Sequence, residues 1–228
     1  ETWANYLSKQ YFGITWHGLE INTRRTFLRY YPTRNITKAF QIEKFGFYTV
    51  KADYLQFLNS MDSEVYYNAS YQTAVKPFVG IVIMVADYHY FIPLTSAKMK
   101  HTKWKNVSDE CFLIYEILKN ERVLDGYICK EYSDEQKLHI LSVLDTKKMI
   151  PVPENAYQKV DFNKIEDLKY RDLFRKEYAF CLKIQDKILK RAEKIYDRQK
   201  KSGKVRHAYC NFSLCEKALE DWKELEQK

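Results

Sequence analysis

The chain has 228 residues, 46% of them hydrophobic, enough to fill the core of one sizeable domain with additions and too many for a disordered tail. Lysine and arginine total 38 against 30 acidic residues; the net charge of +8 and the pI near 9.0 favour a polyanionic partner, without separating nucleic acid from a membrane surface. The longest apolar stretch, Pro77 to Ala86, is about half of what a spanning helix needs, and no charged-then-apolar leader opens the chain, so a cytoplasmic protein without a membrane partner is expected.

Residues 1–44 carry seven basic and three acidic residues and no clean period. Arg24, Arg25, Arg29 and Arg34 stand among Phe27, Tyr30 and Tyr31, a mixture that can track phosphates, or equally an appendage unrelated to activity. The chain begins at glutamate rather than methionine, which leaves open whether this segment is a native extension or a misassigned gene start. From Phe45 the pattern sharpens. Phe45 to Val50 is aromatic and β-branched and predicts a strand; Ala52 to Met61 puts Leu55, Leu58 and Met61 on one face of a short helix. A polar stretch from Asp62 to Lys76 leads to the apolar run Phe78 to Val85, and Ala86 and Asp87 can turn the chain into a second strand, Tyr88 to Leu94. Further strands are expected at Cys111 to Ile117, Leu138 to Leu144 and Met149 to Val152, with a loop-rich insertion carrying Gly126 between the first two.

From Asn163 to Lys200 nothing breaks a helix, and Leu168, Phe174, Tyr178, Cys181, Ile184, Ile188, Ala192 and Ile195 recur at helical spacing, which predicts one long amphipathic helix or two, ended by Gly203. Ser213 to Glu216 has capping-box form and opens a last helix through Trp222. The expected fold class is therefore α+β: an antiparallel β core flanked by helices, with a long C-terminal helical region.

Five cysteines, Cys111, Cys129, Cys181, Cys210 and Cys215, form an odd set without a CxxC pair, and His17, His89, His101, His139 and His207 lack ligand spacing. Reduced, partly buried thiols are expected, and neither metal nor cofactor. The informative segment is Tyr90 to His101, where a strand pattern stops at Pro93 and delivers Thr95, Ser96 and Lys98 to the strand end. Hydroxyls can donate to non-bridging phosphate oxygens and a lysine supplies positive charge where a pentacoordinate phosphorus becomes more negative; an ordinary polar turn would have the same composition. Lys100 and His101 continue the segment as candidate RNA contacts. Upstream, Tyr71 and Lys76 precede the apolar run, and Tyr54 lies on the short helix, where it could stack on a base or be a half-buried helix tyrosine.

Taken in order, Phe47-Tyr48-Thr49-Val50, Tyr54-Leu55, Tyr71-Gln72, Lys76-Pro-Phe-Val-Gly-Ile-Val82, Pro93-Leu-Thr-Ser-Ala-Lys98, Met149-Ile-Pro-Val152 and Cys210-Asn-Phe-Ser-Leu214 resemble the ToxN/AbiQ family of endoribonuclease toxins across residues 45–228. Residues 1–44 and the insertion around Arg122 to Lys137 fall outside the resemblance. It implies a compact, highly twisted antiparallel core related to the MazF/Kid toxins. It also implies a metal-independent, sequence-selective endoribonuclease, the protein half of a type III toxin-antitoxin pair that arrests growth during phage infection. By matched position, Lys76 and Lys98 would stabilise charge, Thr95 and Ser96 would position the phosphate, and Tyr54 and Tyr71 would contact nucleotides. A 2'-hydroxyl would attack the adjacent phosphorus, leaving a 2',3'-cyclic phosphate and a 5'-hydroxyl. The implied partners are single-stranded RNA substrates and an RNA antitoxin of repeated pseudoknots, closing into a cyclic heterohexamer of three proteins and three RNAs. Two departures stand out: Ala97 replaces an expected proline, and one extra residue separates Tyr71 from Lys76. The identity of the proton-transfer group stays open, and a non-catalytic RNA-binding module is the competing class, with a membrane-surface or scaffold protein using residues 1–44 a weaker one.

Overall fold

The computed structural model describes residues 46–68, 79–86 and 88–226, so the basic segment 1–44, Tyr71 and Lys76 lie outside the described residues. Among the described residues eight strands form one antiparallel sheet: β1 (Phe47–Val50), β2 (Val79–Val85), β3 (Tyr88–Ser96), β4 (Cys111–Lys119), β5 (Cys129–Ser133), β6 (Gln136–Asp145), β7 (Ile150–Pro151) and β8 (Tyr157–Lys159). Four helices accompany it among the described residues, α1 (Ala52–Met61), α2 (Leu168–Lys183), α3 (Gln185–Ser202) and α4 (Phe212–Glu226). The class is α+β.

The apolar run becomes β2, whose Ile81, Val82 and Ile83 are all buried; a central strand covered on both faces has no polar side to alternate with. It pairs with β3 from Gly80 opposite Pro93 to Val85 opposite Tyr88. Ala86, at φ +51, takes the left-handed conformation of the tight connection. Gly80 is required by space: a Cβ there would come within 2.6 Å of the Phe91 ring and closer still to the Ile92 carbonyl oxygen. Gly80→Ala is expected to destabilise the domain by about 3 kcal/mol or more, since backbone cannot move aside as a side chain can; a urea melt with an unshifted midpoint would contradict this packing.

Strand β3 does not stop at Pro93. Its first part pairs with β2, and its last residues turn to β6, with Leu94 opposite Leu144, Thr95 opposite Val143 and Ser96 opposite Ser142. The sheet order β4-β6-β3-β2-β1-β8 therefore has its change of partners at the segment carrying Thr95 and Ser96. The expected loop-rich insertion is also corrected. Cys129–Ser133 forms β5 against an extended β6, and because β5 is short, polar and largely exposed, backbone pairing rather than an apolar pattern holds it.

The helical stretch divides at Ile184, whose φ −113 and ψ 14 are not helical. Asp167 opens α2 by accepting from the amides of Lys169 and Tyr170 at 2.9 and 3.1 Å. On α3 the residues Ile188, Leu189, Ala192, Ile195, Tyr196 and Gln199 are buried, and Gly203, at φ +62, ends it with its amide donating to the Gln199 carbonyl. The cap of α4 is Asn211, whose side-chain oxygen accepts from Leu214 N at 3.1 Å, and not Ser213. Glu216 instead turns inward to accept from the Tyr90 hydroxyl at 2.8 Å and pairs with Lys200. Met61, expected on the inner face of α1, is exposed at the helix end, whereas Tyr54, Leu55 and Leu58 are wholly buried.

Candidate functional site

Thr95 and Ser96 end β3, and the directly opposed pair Ser96 and Ser142 shares one face of the sheet. The chain then enters a short helical turn, Met99–Lys103, pinned by two reciprocal bonds: the His101 amide donates to the Lys98 carbonyl at 2.8 Å, and the Lys98 amide donates to His101 Nδ1 at 3.0 Å. A ring nitrogen that accepts carries no proton, so this geometry assigns neutral His101 its proton on Nε2. Burial, with the ammonium groups of Lys100, Lys98 and Lys147, holds the His101 pKa below the ordinary histidine value, which agrees with a neutral ring. The ring lies 4.6 Å from that of Trp104, and the Lys100 and Lys147 ammonium groups stand 5.6 and 5.9 Å from the same indole.

A cleft of about 750 Å³ opens beside this turn. One wall carries Val79 and the β3 residues, with Lys98, Lys100, His101 and Trp104 beyond them. The second comes from the end of β6 and the turn after it, with Ser142, Asp145, Lys147 and Lys148; the third is one face of α2, presenting Tyr170, Phe174 and Glu177. The cations in it differ in their engagement. Lys147 lies 3.5 Å from Asp145 and 3.6 Å from Glu110, and Lys148 donates to the Glu64 backbone oxygen at 2.9 Å while pairing with the Glu64 carboxylate. Burial raises the Asp145 carboxyl pKa against the opposing pull of Lys147, and the Tyr66 hydroxyl donates to the same carboxylate at 3.0 Å. Lys98 and Lys100, by contrast, are exposed and have no carboxylate within ion-pair distance among the described residues. Their charge is free to meet an anion that enters the cleft.

The structure thus gathers Thr95, Ser96, Lys98, Lys100 and His101 at one cleft. It does not bring Tyr54 there. Tyr54 is 0% exposed, its hydroxyl donates to the Pro151 carbonyl at 2.8 Å, and its ring packs edge-on against Trp222 at 5.3 Å. Burial raises its pKa far above the ordinary tyrosine value. The expected nucleotide contact is corrected to a structural tie between α1 and the sheet. Tyr71 and Lys76 lie outside the described residues; Lys76 stands three residues before Val79 in the sequence.

Sequence reasoning missed several groups that face this cleft, among them Trp104, Ser142, Lys147 and Glu177. Two had a legible signal. Ser142 is the lone polar residue of the apolar run Ile140 to Leu144, and Glu177 falls three residues after Phe174 and four before Cys181, on the inward helical face. Glu177 is 3% exposed, and burial lifts its carboxyl pKa from 4.5 to about 7 while the Ser142 hydroxyl pulls it down. That hydroxyl is close enough to favour the ionised carboxylate, yet forms no complete hydrogen bond.

Comparison with known proteins bears on this cleft. Residues 46–220 match the family model described as toxin ToxN of the type III toxin-antitoxin system. The chain is similar to the endoribonuclease ToxN of Bacillus thuringiensis subsp. kurstaki, 27% identical over 190 residues that cover 79% of this chain and 86% of the relative. It is similar also to the endoribonuclease ToxN of Pectobacterium atrosepticum, 28% identical over 180 residues that cover 77% and 92% of the two chains. Among solved structures, its fold is similar to that of a bacterial type III toxin-antitoxin system in which a non-coding RNA pseudoknot selectively inhibits the toxin, with a TM-score of 0.58, 26% identity, and coverage of 79% of this chain and 99% of the other.

Proposed function

We propose, from the premise that this chain belongs to the ToxN toxin family of type III toxin-antitoxin systems, that it is an endoribonuclease cutting single-stranded RNA in the cleft at the end of β3. The observation that carries this reading is the pair of ammonium groups without a carboxylate partner among the described residues, Lys98 and Lys100, set beside the Ser96 hydroxyl and the Trp104 ring in one cleft. Cations and hydroxyls suit a phosphate, and an indole suits an unstacked base.

The chemistry follows from the substrate. RNA brings its own nucleophile, so the protein needs to splay the strand, hold the 2'-hydroxyl in line with the scissile P–O5' bond, and stabilise charge as the phosphorus becomes pentacoordinate. Ser96 and Thr95 position the phosphate; Lys98, with Lys76, offsets the growing charge; Lys100 and His101 hold the flanking strand, and Tyr71 contacts a nucleotide. The products are a 2',3'-cyclic phosphate and a 5'-hydroxyl, formed without a metal ion and with selectivity for a short sequence. The same cleft takes an RNA antitoxin of repeated pseudoknots, cut from its precursor by the toxin and retained, in a cyclic assembly of three proteins and three RNAs. Release of the toxin arrests growth of the phage-infected cell, in the cytoplasm. No helix among the described residues is long and apolar enough to cross a membrane. We read the sheet as a variant of the MazF/Kid core, and residues 1–44, which precede the family match, as dispensable for cleavage.

The test is end chemistry. Purified protein, incubated with a 5'-labelled pool of random-sequence RNA in EDTA, is expected to give fragments that carry a cyclic phosphate and a free 5'-hydroxyl. Intact RNA, or fragments with 5'-phosphate ends, sinks the reading.

A further inference from the structure

The turn between α3 and α4 carries charge unlike that of the helix before it. Along α3 from Gln185 to Asp197, four cations are interspersed with three carboxylates, as on an ordinary solvated face. From Arg198 to Cys215, five lysine and arginine residues stand with no acidic residue among them. Two of these are engaged, Lys200 by Glu216 and Lys201 by Asp197 at 2.9 Å. Lys204 and Arg206, both exposed, have no carboxylate within ion-pair distance among the described residues.

Backbone geometry carries this charge to the cleft. The Tyr209 amide donates to the Arg206 carbonyl at 3.1 Å, closing a turn whose third residue, Ala208, takes φ +63, a conformation usually left to glycine. Ala208 lines the same cleft as Ser96 and Lys98. Past it the chain is fixed. Tyr209 and Cys210 are buried, and the Cys210 amide donates to the Lys147 carbonyl at 3.1 Å. The Cys210 carbonyl accepts from the Gln199 side chain at 3.0 Å, and the Asn211 amide donates to the Asp62 carboxylate at 2.7 Å. His207, the second residue of the turn, is within electrostatic reach of Glu64. The Glu64 carboxyl is held below its ordinary range by its bond to Lys148, against the cost of burial, with His207 and Lys147 adding smaller pulls. The turn therefore sits beside Lys147 and Lys148 in a fixed conformation, and an anion that meets it has little backbone to order.

Resting on the endoribonuclease reading, we propose that the α3–α4 turn is a second phosphate station on the RNA strand, where Lys204 and Arg206 hold backbone phosphates beyond the one at Ser96. The ligand is the sugar-phosphate backbone of single-stranded RNA. Arg206 offers a planar fork to two phosphate oxygens, and Lys204 a point charge. Such contacts read no base. They fix the register of the strand, because RNA gripped at the β3 end and again at this turn has less freedom to slide past Ser96.

The experiment is filter binding at several salt concentrations, with melting temperature measured alongside. The ligand is a 5'-labelled random-sequence RNA pool with 2'-O-methyl riboses, which lacks the nucleophile and stays intact. Lys204→Met/Arg206→Met is expected to weaken binding about tenfold at low salt and to reduce the slope of log affinity against log salt by about 1.4, two cations at about 0.7 each on a single strand. Lys204→Arg/Arg206→Lys keeps both charges and is expected to keep the slope. So is Lys187→Met/Lys190→Met, an equal loss of charge at exposed positions toward the other end of α3, about 20 Å away along the helix. Should the first double variant fail to fold, Arg206→Met alone carries the test, with an expected loss of about 0.7. A folded Lys204→Met/Arg206→Met protein with the wild-type slope overturns the proposal. An equal loss of slope in Lys187→Met/Lys190→Met overturns it too, since net charge then accounts for the effect. Wild-type protein that leaves unmodified RNA uncut overturns the endoribonuclease reading, a failure separate from anything the binding slopes record.

Discussion

Ser96→Ala is expected to cut RNA about 10²- to 10³-fold more slowly while binding it within about threefold of wild type, because a hydroxyl aimed at a non-bridging oxygen strengthens as that oxygen gains charge. Ground-state affinity rests on many phosphates along the strand, so the loss of one neutral donor at the end of β3 barely changes it. Lys98→Met should lower the rate to a similar degree and in addition weaken binding, reducing the slope of log affinity against log salt by about 0.7, the contribution of one ammonium on single-stranded nucleic acid. Lys98 is exposed and without a carboxylate partner among the described residues, so removing it leaves no buried charge stranded and the fold should hold. The measurements are single-turnover cleavage and filter binding at several salt concentrations. Should Ser96→Ala lose rate and affinity in equal proportion, or should no variant or wild type turn over, the cleft is a binding site and the catalytic assignment is wrong.

Tyr54→Ala is expected to cost about 3–5 kcal/mol of stability, because a wholly buried aromatic side chain is removed from between α1, α4 and the sheet. Tyr54→Phe should cost about 1–2 kcal/mol by leaving the Pro151 carbonyl without its donor. In a domain of this size each kcal/mol moves the melting temperature by roughly 2–4 °C, so the alanine variant should melt about 10 °C lower. Once folded, the phenylalanine variant should bind and cut RNA as wild type does. A Tyr54→Phe protein with an unchanged melting temperature and RNA affinity lowered tenfold would mean that this hydroxyl faces the ligand and not the core.

The contrast between Tyr54 and the β3 end shows where local pattern suffices. Ser96 and Lys98 are polar residues directly after an apolar strand, and such residues are carried to the rim of the sheet wherever the strand packs. Their placement in a cleft follows nearly from the sequence. Tyr54 is amphipathic, and whether its hydroxyl meets solvent or a carbonyl depends on what lies above α1, which is α4, more than 150 residues later. The acidic members of the cleft were hidden for the same reason. A glutamate among the charges of Asn163 to Lys200 resembles any solvated residue until the helix turns that face against β6.

By itself the sequence determined the class of fold, the central hairpin, the helix ends at Met61 and Gly203 and the polar cluster from Thr95 to His101, since each follows from side-chain periodicity, left-handed backbone or a change from apolar to polar within a few residues. Only the tertiary structure decided that β3 changes partners from β2 to β6, that β5 pairs at all, and that Ser142 and Glu177 line the same cleft as Ser96. Those depend on contacts between residues far apart in the chain, which no local pattern encodes, because burial of a polar group depends on the surface that closes over it.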